Sequence, residues 1–273
     1  MKIFITGAGG FVGKNLLEFY KDQQTFGWSR GMDLGSELTN FQPDVIIHCA
    51  AEIYNPDLMW DSNIILTKTC LDYVKANPNT KMVHLGSSGE YGPVSKASSE
   101  KDLIDPVDMY QATKGMATLM CQGYARNFGL DISIARPYSV FGPGEKPHRL
   151  FPRLYKAYIK QEPMILYQGY HDFIYIDDFV RGIDILVRYE NLPRGEIVNF
   201  GSGVQYSNFE INDLFANYTN NKTAPVEKKE NLQKLFESNF WVCDTTYAWQ
   251  KYKFKTGFSV EAGISKFINL ANY

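Results

Sequence analysis

Tyr110 and Lys114, four positions apart in the stretch MYQATKG, are of types that could move a proton. On a helix, residues at i and i+4 share a face, so the phenol and the ammonium become neighbours. A tyrosine is a poor base near neutral pH until a nearby cation favours its phenolate, and Lys114 supplies that charge. The same spacing also suits two half-exposed side chains with no chemistry, so its weight depends on what else the chain brings beside it.

In HLGSSGEYG an apolar strand runs out into Ser87 and Ser88, at the carboxyl end where open α/β sheets bind ligands. A hydroxyl there can donate to the oxygen whose proton the tyrosine handles; a serine-rich turn is the plainer account of either serine alone. Earlier, the strand KIFIT leads into Gly7, Gly10 and Gly13, spaced three apart, and a helical pattern follows at once. At a first strand-to-helix junction such glycines let the backbone turn tightly against a pyrophosphate, while free N–H groups at the helix start face its oxygens. The second strand, TFGW, is followed by Ser29 and Arg30 and not by the acid that accepts from a ribose 2′-OH. Within an NAD(P) site this leans to NADP(H), with Asp33 and Leu34 expected near the adenosine end.

These residues need elements to hold them. The runs KIFIT, TFGW, DVIIHCA, KMVHLGS and DISIARP alternate with FVGKNLLEFYKD, NIILTKTCLDYVKAN and MYQATKGMATLMCQGYARNF, whose apolar residues recur at three-to-four spacing. The expected fold class is α/β, a Rossmann-type doubly wound parallel sheet with a smaller C-terminal α/β substrate-binding region. The dinucleotide-binding domain is expected over 1–142 with part of 168–200, and the smaller region over 143–273. After FGPGEKP, prolines and aromatics increase. A helix is expected from Leu150 to Lys160, a strand around Met164 to Tyr167, further structure in DFIYIDDFVRGIDILVRY, a strand in EIVNFGS and helices near the C-terminus. The polar stretch NKTAPVEKKENLQK reads as exposed.

Composition narrows the partner. With 28 basic against 30 acidic residues among 273, nothing attracts nucleic acid or anionic lipid, and a small molecule is expected. Cys49, Cys70, Cys121 and Cys243 are scattered, with no close pair of the kind that clamps zinc or exchanges disulfides, so no metal site is expected. The glycines of MKIFITGAGGFVGK interrupt what would otherwise mimic a signal peptide, and no run approaches the roughly 20 apolar residues that span a bilayer. A soluble, cytoplasmic protein is the expectation.

In this order, TGAGGFVG, HCAA, GSSGEYG, YQATK, RPYSVFGPG and DFIYIDDFV resemble the extended short-chain dehydrogenase/reductases, specifically the NAD-dependent epimerase/dehydratase family that modifies nucleotide sugars. EIVNFGSG and WVCDTTYAWQKYKFK extend the likeness over nearly the whole chain. The resemblance implies that Tyr110 is the acid/base, that Lys114 lowers its pKa and binds the nicotinamide ribose, and that Ser87, four residues before Tyr91, completes a triad. It implies cofactor contacts at Gly7, Gly10, Phe11, Val12 and Gly13, at Ala50, Ala51 and Asn63, and at Pro137 and Tyr138. On the substrate side it implies Ser88, and Ser139 where many relatives carry an asparagine. Relatives often read GDGSQTRDFIYVDD, whose arginine grips the substrate diphosphate. This chain reads YQGYHDFIYIDD, so that charge is expected from His171, Arg149, Arg153 or Lys146, although His171 fits a packed, hydrogen-bonded histidine equally well. Asp177 and Asp178 are expected to cap the following helix.

The implied chemistry is hydride transfer at a sugar carbon, usually C4, on a nucleoside diphosphate sugar. An epimerase oxidises, lets the 4-keto sugar turn and reduces its other face; a 4-keto-sugar reductase performs only the second half. Relatives that act as 4,6-dehydratases carry an Asp–Glu pair directly after the triad Ser/Thr, whereas Ser88 and Gly89 stand here with Glu90 one position later. Epimerase and reductase are therefore the main readings. The alternatives are a 4,6-dehydratase, a non-sugar carbonyl reductase of the same fold, or a non-catalytic dinucleotide-sensing regulator. Relatives pair through two long helices, and Met116, Leu119 and Met120 after Tyr110 make a homodimer the expected assembly, although the same apolar stripe suits packing on the sheet equally well.

Overall fold

The computed structural model describes residues 1–219, 223–230 and 240–271. From the N-terminus the chain forms β1 (Lys2–Thr6), α1 (Phe11–Phe19), β2 (Gln24–Trp28), α2 (Leu34–Phe41), β3 (Val45–His48) and α3 (Pro56–Met59). A π-helical turn (Trp60–Ile65), α4 (Leu66–Ala76), β4 (Lys81–Leu85), a 3-10 turn (Ser88–Tyr91), α5 (Met109–Phe128) and β5 (Ile132–Pro137) follow. Next come β6 (Ser139–Phe141), α6 (Leu150–Lys160), β7 (Met164–Tyr167), β8 (Tyr170–Tyr175), α7 (Ile176–Arg188) and β9 (Glu196–Phe200). The last elements are β10 (Gln205–Ser207), α8 (Asn208–Tyr218), β11 (Val226–Lys229), α9 (Thr246–Tyr252) and α10 (Val260–Leu270).

The chain divides into two compact units, the first comprising Met1–Gly92, Glu100–Pro137 and Val180–Phe200. Its six-stranded sheet runs β2-β1-β3-β4-β5-β9 with every pair parallel. The chain steps from β1 outward to β2, then crosses back to β3, so the sheet order reverses beside β1 and a crevice opens at the carboxyl ends there. All four residues of β3 are buried, as are most of β1, β4 and β5, which is why they read as continuous apolar runs: helices cover both faces. Phe4, Ile46, Met82, Ile132 and Ile134 pack with Leu34, Leu38, Leu71, Val74 and Cys121 in one cluster, each large apolar side chain stabilising by about 1.5–3 kcal/mol when fully buried.

Helix α2 is absent from the expectations above. Asp33, expected near the adenosine, is its N-cap, accepting from Ser36 N–H at 2.7 Å, and Leu34, expected there too, is buried. The readable signal was an N-capping acid ahead of Leu34, Leu38 and Phe41 at helical spacing.

The second unit, Pro93–Ser99, Tyr138–Phe179 and Gly201–Tyr273, carries a three-stranded sheet β10-β8-β6 and the parallel pair β11-β7. Its core is aromatic: Phe141 stacks on Phe151 with centroids 4.1 Å apart, and Phe151 meets Phe173 edge-on at 5.1 Å. Asp177 and Asp178 fall in the first turn of α7, but their carboxylates reach elsewhere. Asp178 accepts from the backbone of Gly257 and Phe258, and Asp177 pairs with Lys266 at 2.6 Å. Within NKTAPVEKKENLQK, residues 223–230 include β11, and the rest lies outside the described residues.

Candidate active site

The glycine loop leaves β1 with Gly7 at φ +68°, a conformation that disfavours any side chain. A Cβ on Gly7 would stand 2.8 Å from Ala50 N, and one on Gly13 would run into the Gly7 carbonyl. Helix α1 then starts at Phe11 and Val12, with Gly10 at the N-cap, no side-chain cap and no acid in its first turn. The first N–H groups of a helix have no partner within it and favour an anion. This cradle, in which a Cβ would fill the space beside the backbone, fits a dinucleotide pyrophosphate.

Thr6 fixes how β3 approaches that loop. Its hydroxyl accepts from the backbone N–H of Cys49 and Ala50 at 3.1 and 3.0 Å and lies 2.7 Å from His48 Nδ1. Thr67 spends its proton on the Asn63 carbonyl, so the 3.0 Å contact to His48 Nε2 makes that nitrogen the donor and Nδ1 the acceptor from Thr6. Burial holds the His48 imidazole neutral, with its pKa down to about 3. Asn63, expected at the cofactor, is buried inside the π-helical turn with its amide used internally. It accepts from Glu52 N–H at 2.7 Å and donates to the Glu52 carbonyl at 3.0 Å and the Thr113 hydroxyl at 2.9 Å. It ties the loop after β3 to the helix carrying Tyr110 and Lys114.

Asp108 caps α5 by accepting from Gln111 N–H at 2.8 Å, and Gly129 ends it in the left-handed region. Lys114 is buried in the middle and donates from Nζ to the carbonyl of Leu85, the last residue of β4; burial lowers its pKa below the ordinary lysine value. One turn earlier, Tyr110 is half-buried. Helix α5 packs against the 3-10 turn that follows Ser87, where Gly89 leaves room for Gln111: a Cβ there would lie 3.2 Å from Gln111 Cγ. Ser87 accepts from Gly89 N–H at 3.1 Å and remains half-buried with its own proton to donate, whereas Ser88, expected on the substrate side, is buried.

Glu90 is committed to structure. One oxygen accepts from Ser87 N–H at 2.7 Å and the Thr118 hydroxyl at 3.0 Å; the other takes Arg136. At the end of β2, Ser29 Oγ lies 3.5 Å from where a Gly9 Cβ would be, and Arg30 pairs with Glu52 at 3.1 Å. Ala51 and Pro137 are half-buried at the ends of β3 and β5.

In the second unit Tyr138 is buried, its ring 6.5 Å from that of Trp241. Ser139 Oγ and His171 Nδ1 are 3.1 Å apart, so two residues expected on the substrate side meet. Arg149 donates to Glu145 at 3.2 Å; burial pushes the Glu145 carboxyl up to about 7, so it only partly offsets the guanidinium charge. Arg153 is turned onto the Ile165 carbonyl at 2.7 Å. The sequence reading missed Glu52, Thr6 and the Glu90–Arg136 pair, whose partners lie 22 to 46 residues away along the chain.

The doubly wound sheet thus carries the glycine cradle at the end of β1, with Ser87 just beyond β4 and Lys114 held to its last residue. The profile of the NAD dependent epimerase/dehydratase family matches residues 3–201, and the chain belongs to that family of enzymes. It is 27% identical to a Bacillus subtilis protein described as an uncharacterised UDP-glucose epimerase, YtcB, over 82% of this chain and 84% of that one. It is 29% identical to the UDP-glucuronate 4-epimerase of Thermodesulfobacterium geofontis, covering 85% and 77% of the two chains. The crystal structure of dTDP-glucose 4,6-dehydratase from Bacillus anthracis in complex with NAD superposes with a TM-score of 0.89 at 18% identity, over 99% of this chain and 96% of that one, a likeness of fold.

Proposed function

We propose that this enzyme modifies a nucleoside diphosphate sugar by hydride transfer at a sugar carbon, C4, as a 4-epimerase or a 4-keto-sugar reductase. The observation that carries the reading is Lys114, buried and held by the Leu85 carbonyl one turn from Tyr110, on the helix that packs against the Ser87 turn. The bound dinucleotide supplies the hydride acceptor and donor. Tyr110 takes the proton of the sugar hydroxyl on oxidation and returns it on reduction. Lys114 favours the phenolate through its charge, and Ser87 donates to the same oxygen. The relatives named as UDP-sugar epimerases support the substrate class. The locked carboxylate of Glu90 argues against elimination, because its oxygens are committed to Ser87 N–H, Thr118 and Arg136 and do not serve as a second acid/base.

In this reading the first unit is the dinucleotide-binding domain and the second the substrate-binding region, with Arg149, Arg153, His171 and Ser139 assigned to the substrate diphosphate. The exposed Arg30 supports acceptance of a 2′-phosphate, extending the cofactor range to NADP(H). Exposed Trp60, Ile65, Met116 and Leu119 support a homodimer formed through the α4–α5 face, and four free thiols suit a reducing, cytoplasmic compartment. No helix among the described residues is long and apolar enough to cross a membrane. Incubation with oxidised and reduced cofactors against UDP-, GDP-, dTDP- and CDP-sugars and their 4-keto forms, read by mass spectrometry and by chromatography that resolves C4 epimers, tests the reading. Inversion at C4 identifies the epimerase and cofactor-consuming reduction the reductase. Dinucleotide binding with no turnover of any sugar nucleotide overturns both.

A further inference from the structure

The ion pair between Arg30 and Glu52 takes no part in the proton chemistry, yet it occupies a telling position. In the sheet β1 lies between β2 and β3. Arg30 follows β2 and Glu52 follows β3, so the 3.1 Å pair runs from one flank of β1's carboxyl end to the other. Both flanks touch the glycine loop, through Ser29 beside Gly9 and through Ala50 beside Gly7. In doubly wound sheets the residues just after β2 read the adenosine ribose, and charge there distinguishes a 2′-hydroxyl from a 2′-phosphate.

The two partners differ in freedom. Glu52 Oε1 accepts from the backbone N–H groups of Ile53 and Tyr54 at 3.1 Å and of Asn55 at 3.3 Å, while its own N–H donates to Asn63. The N–H of Tyr54 foremost, then Arg30 and the N–H groups of Asn55 and Ile53, bring the Glu52 carboxyl down to about 2, so it is an anion near neutral pH. Its side chain is 16% exposed, against 69% for Arg30. A surface ion pair of this kind is weak, whereas a guanidinium grips a phosphate bidentately. Arg30 alone would therefore tilt the enzyme toward NADP(H).

We propose that Glu52 sets the dinucleotide preference by competing with a 2′-phosphate for Arg30, pulling the enzyme back toward NAD(H). The proposal rests on dinucleotide binding beside the glycine loop and not on the sugar substrate. Its test contains no sugar nucleotide, so its failure leaves the sugar reading untouched. NAD⁺ and NADP⁺ are titrated calorimetrically into the full chain and into Glu52→Gln, Arg30→Ala and the double variant. Glutamine keeps an oxygen for the three N–H groups and removes the charge. Glu52→Gln is expected to tighten NADP⁺ about fivefold relative to NAD⁺, and Arg30→Ala to weaken NADP⁺ by a similar factor. In the double variant most of the Glu52→Gln gain disappears. Equal shifts for both dinucleotides in Glu52→Gln, or an undiminished gain without Arg30, overturns the proposal. Arg30→Ala sits at an exposed position and carries the test by itself if the glutamine variant does not fold: an unchanged NAD⁺ to NADP⁺ ratio there also overturns it.

Discussion

Arg136 closes a two-point grip on Glu90, with Nη2 at 2.7 Å and Nε at 2.9 Å from the same carboxylate oxygen. The side chains are 2% and 0% exposed, and the guanidinium lies 4.6 Å from the centre of the Tyr91 ring. Because Glu90 also accepts from Ser87 N–H, this pair fastens the end of β5 to the turn that presents the Ser87 hydroxyl.

Glu90→Ala is expected to cost about 3–5 kcal/mol of stability, since it leaves a buried guanidinium without its counter-charge. Urea unfolding measures this as a lowered midpoint. Replacing both partners, Glu90→Leu with Arg136→Met, is expected to recover much of the loss, because neither charge is then stranded. If Glu90 were instead an acid/base, Glu90→Gln would lose kcat while its unfolding midpoint stayed at the parent value.

Tyr110→Phe removes the one oxygen assigned to proton transfer and leaves the glycine cradle intact. Turnover is expected to fall by about 10²–10⁴, with dinucleotide affinity within about twofold of the parent. Steady-state assays on the productive sugar nucleotide, paired with calorimetry of cofactor binding, separate the two quantities. Parent-like turnover would remove Tyr110 from the mechanism.

Local pattern carried much of this molecule. The strands around KIFIT, DVIIH and KMVHL, the long helix after Asp108 and the glycine turn all announce themselves through periodicity and turn chemistry, and the fold contains each of them. What stayed hidden depends on partners distant in sequence. The bond of Glu90 to Arg136 spans 46 residues, and that of Asn63 to Thr113 spans 50, so neither partnership is written in local sequence. Asp33 is a different case: its capping of α2 is local and legible, from an acid just ahead of a helical apolar pattern. The small sheet β10-β8-β6 was less legible for a third reason: β6 and β10 are three residues long, and β8 has no alternation, its last four residues all being buried.

His84 makes the first unit acid-sensitive. It lies 5.3 Å from the His48 ring, neither of its nitrogens has a hydrogen-bond partner among the described residues, and burial first, then the Lys114 charge, hold its pKa well below the ordinary imidazole value. As pH falls through about 6.5, the unfolded chain takes up a proton at each histidine while the fold does not, and for His48 that continues down to about 3. Stability contributed by these neutral imidazoles is thus full above about 6.5 and declines toward acid, by up to about 1.4 kcal/mol per pH unit for each. His84→Leu is expected to remove one such proton from the slope measured by unfolding between about pH 6 and pH 4. It is also expected to fold at neutral pH, having lost two unsatisfied nitrogens. A slope identical to the parent would place the acid sensitivity elsewhere.

Leu119, 55% exposed on α5, tests the homodimer proposal. With Met116 on the same helix and Trp60 and Ile65 on the preceding elements, it forms part of a solvent-facing set of large apolar side chains. Burying a leucine fully is worth about 1.5–3 kcal/mol, and placing a carboxylate in an apolar contact opposes burial outright. The parent is expected to sediment as a dimer at micromolar concentration, and Leu119→Glu as a folded monomer with an unchanged circular dichroism spectrum. Dinucleotide affinity should stay near the parent value, because Leu119 lies more than a full helical turn beyond Lys114. A variant that still sediments as a dimer would move the interface away from this face, and a parent that sediments as a monomer would remove the dimer altogether.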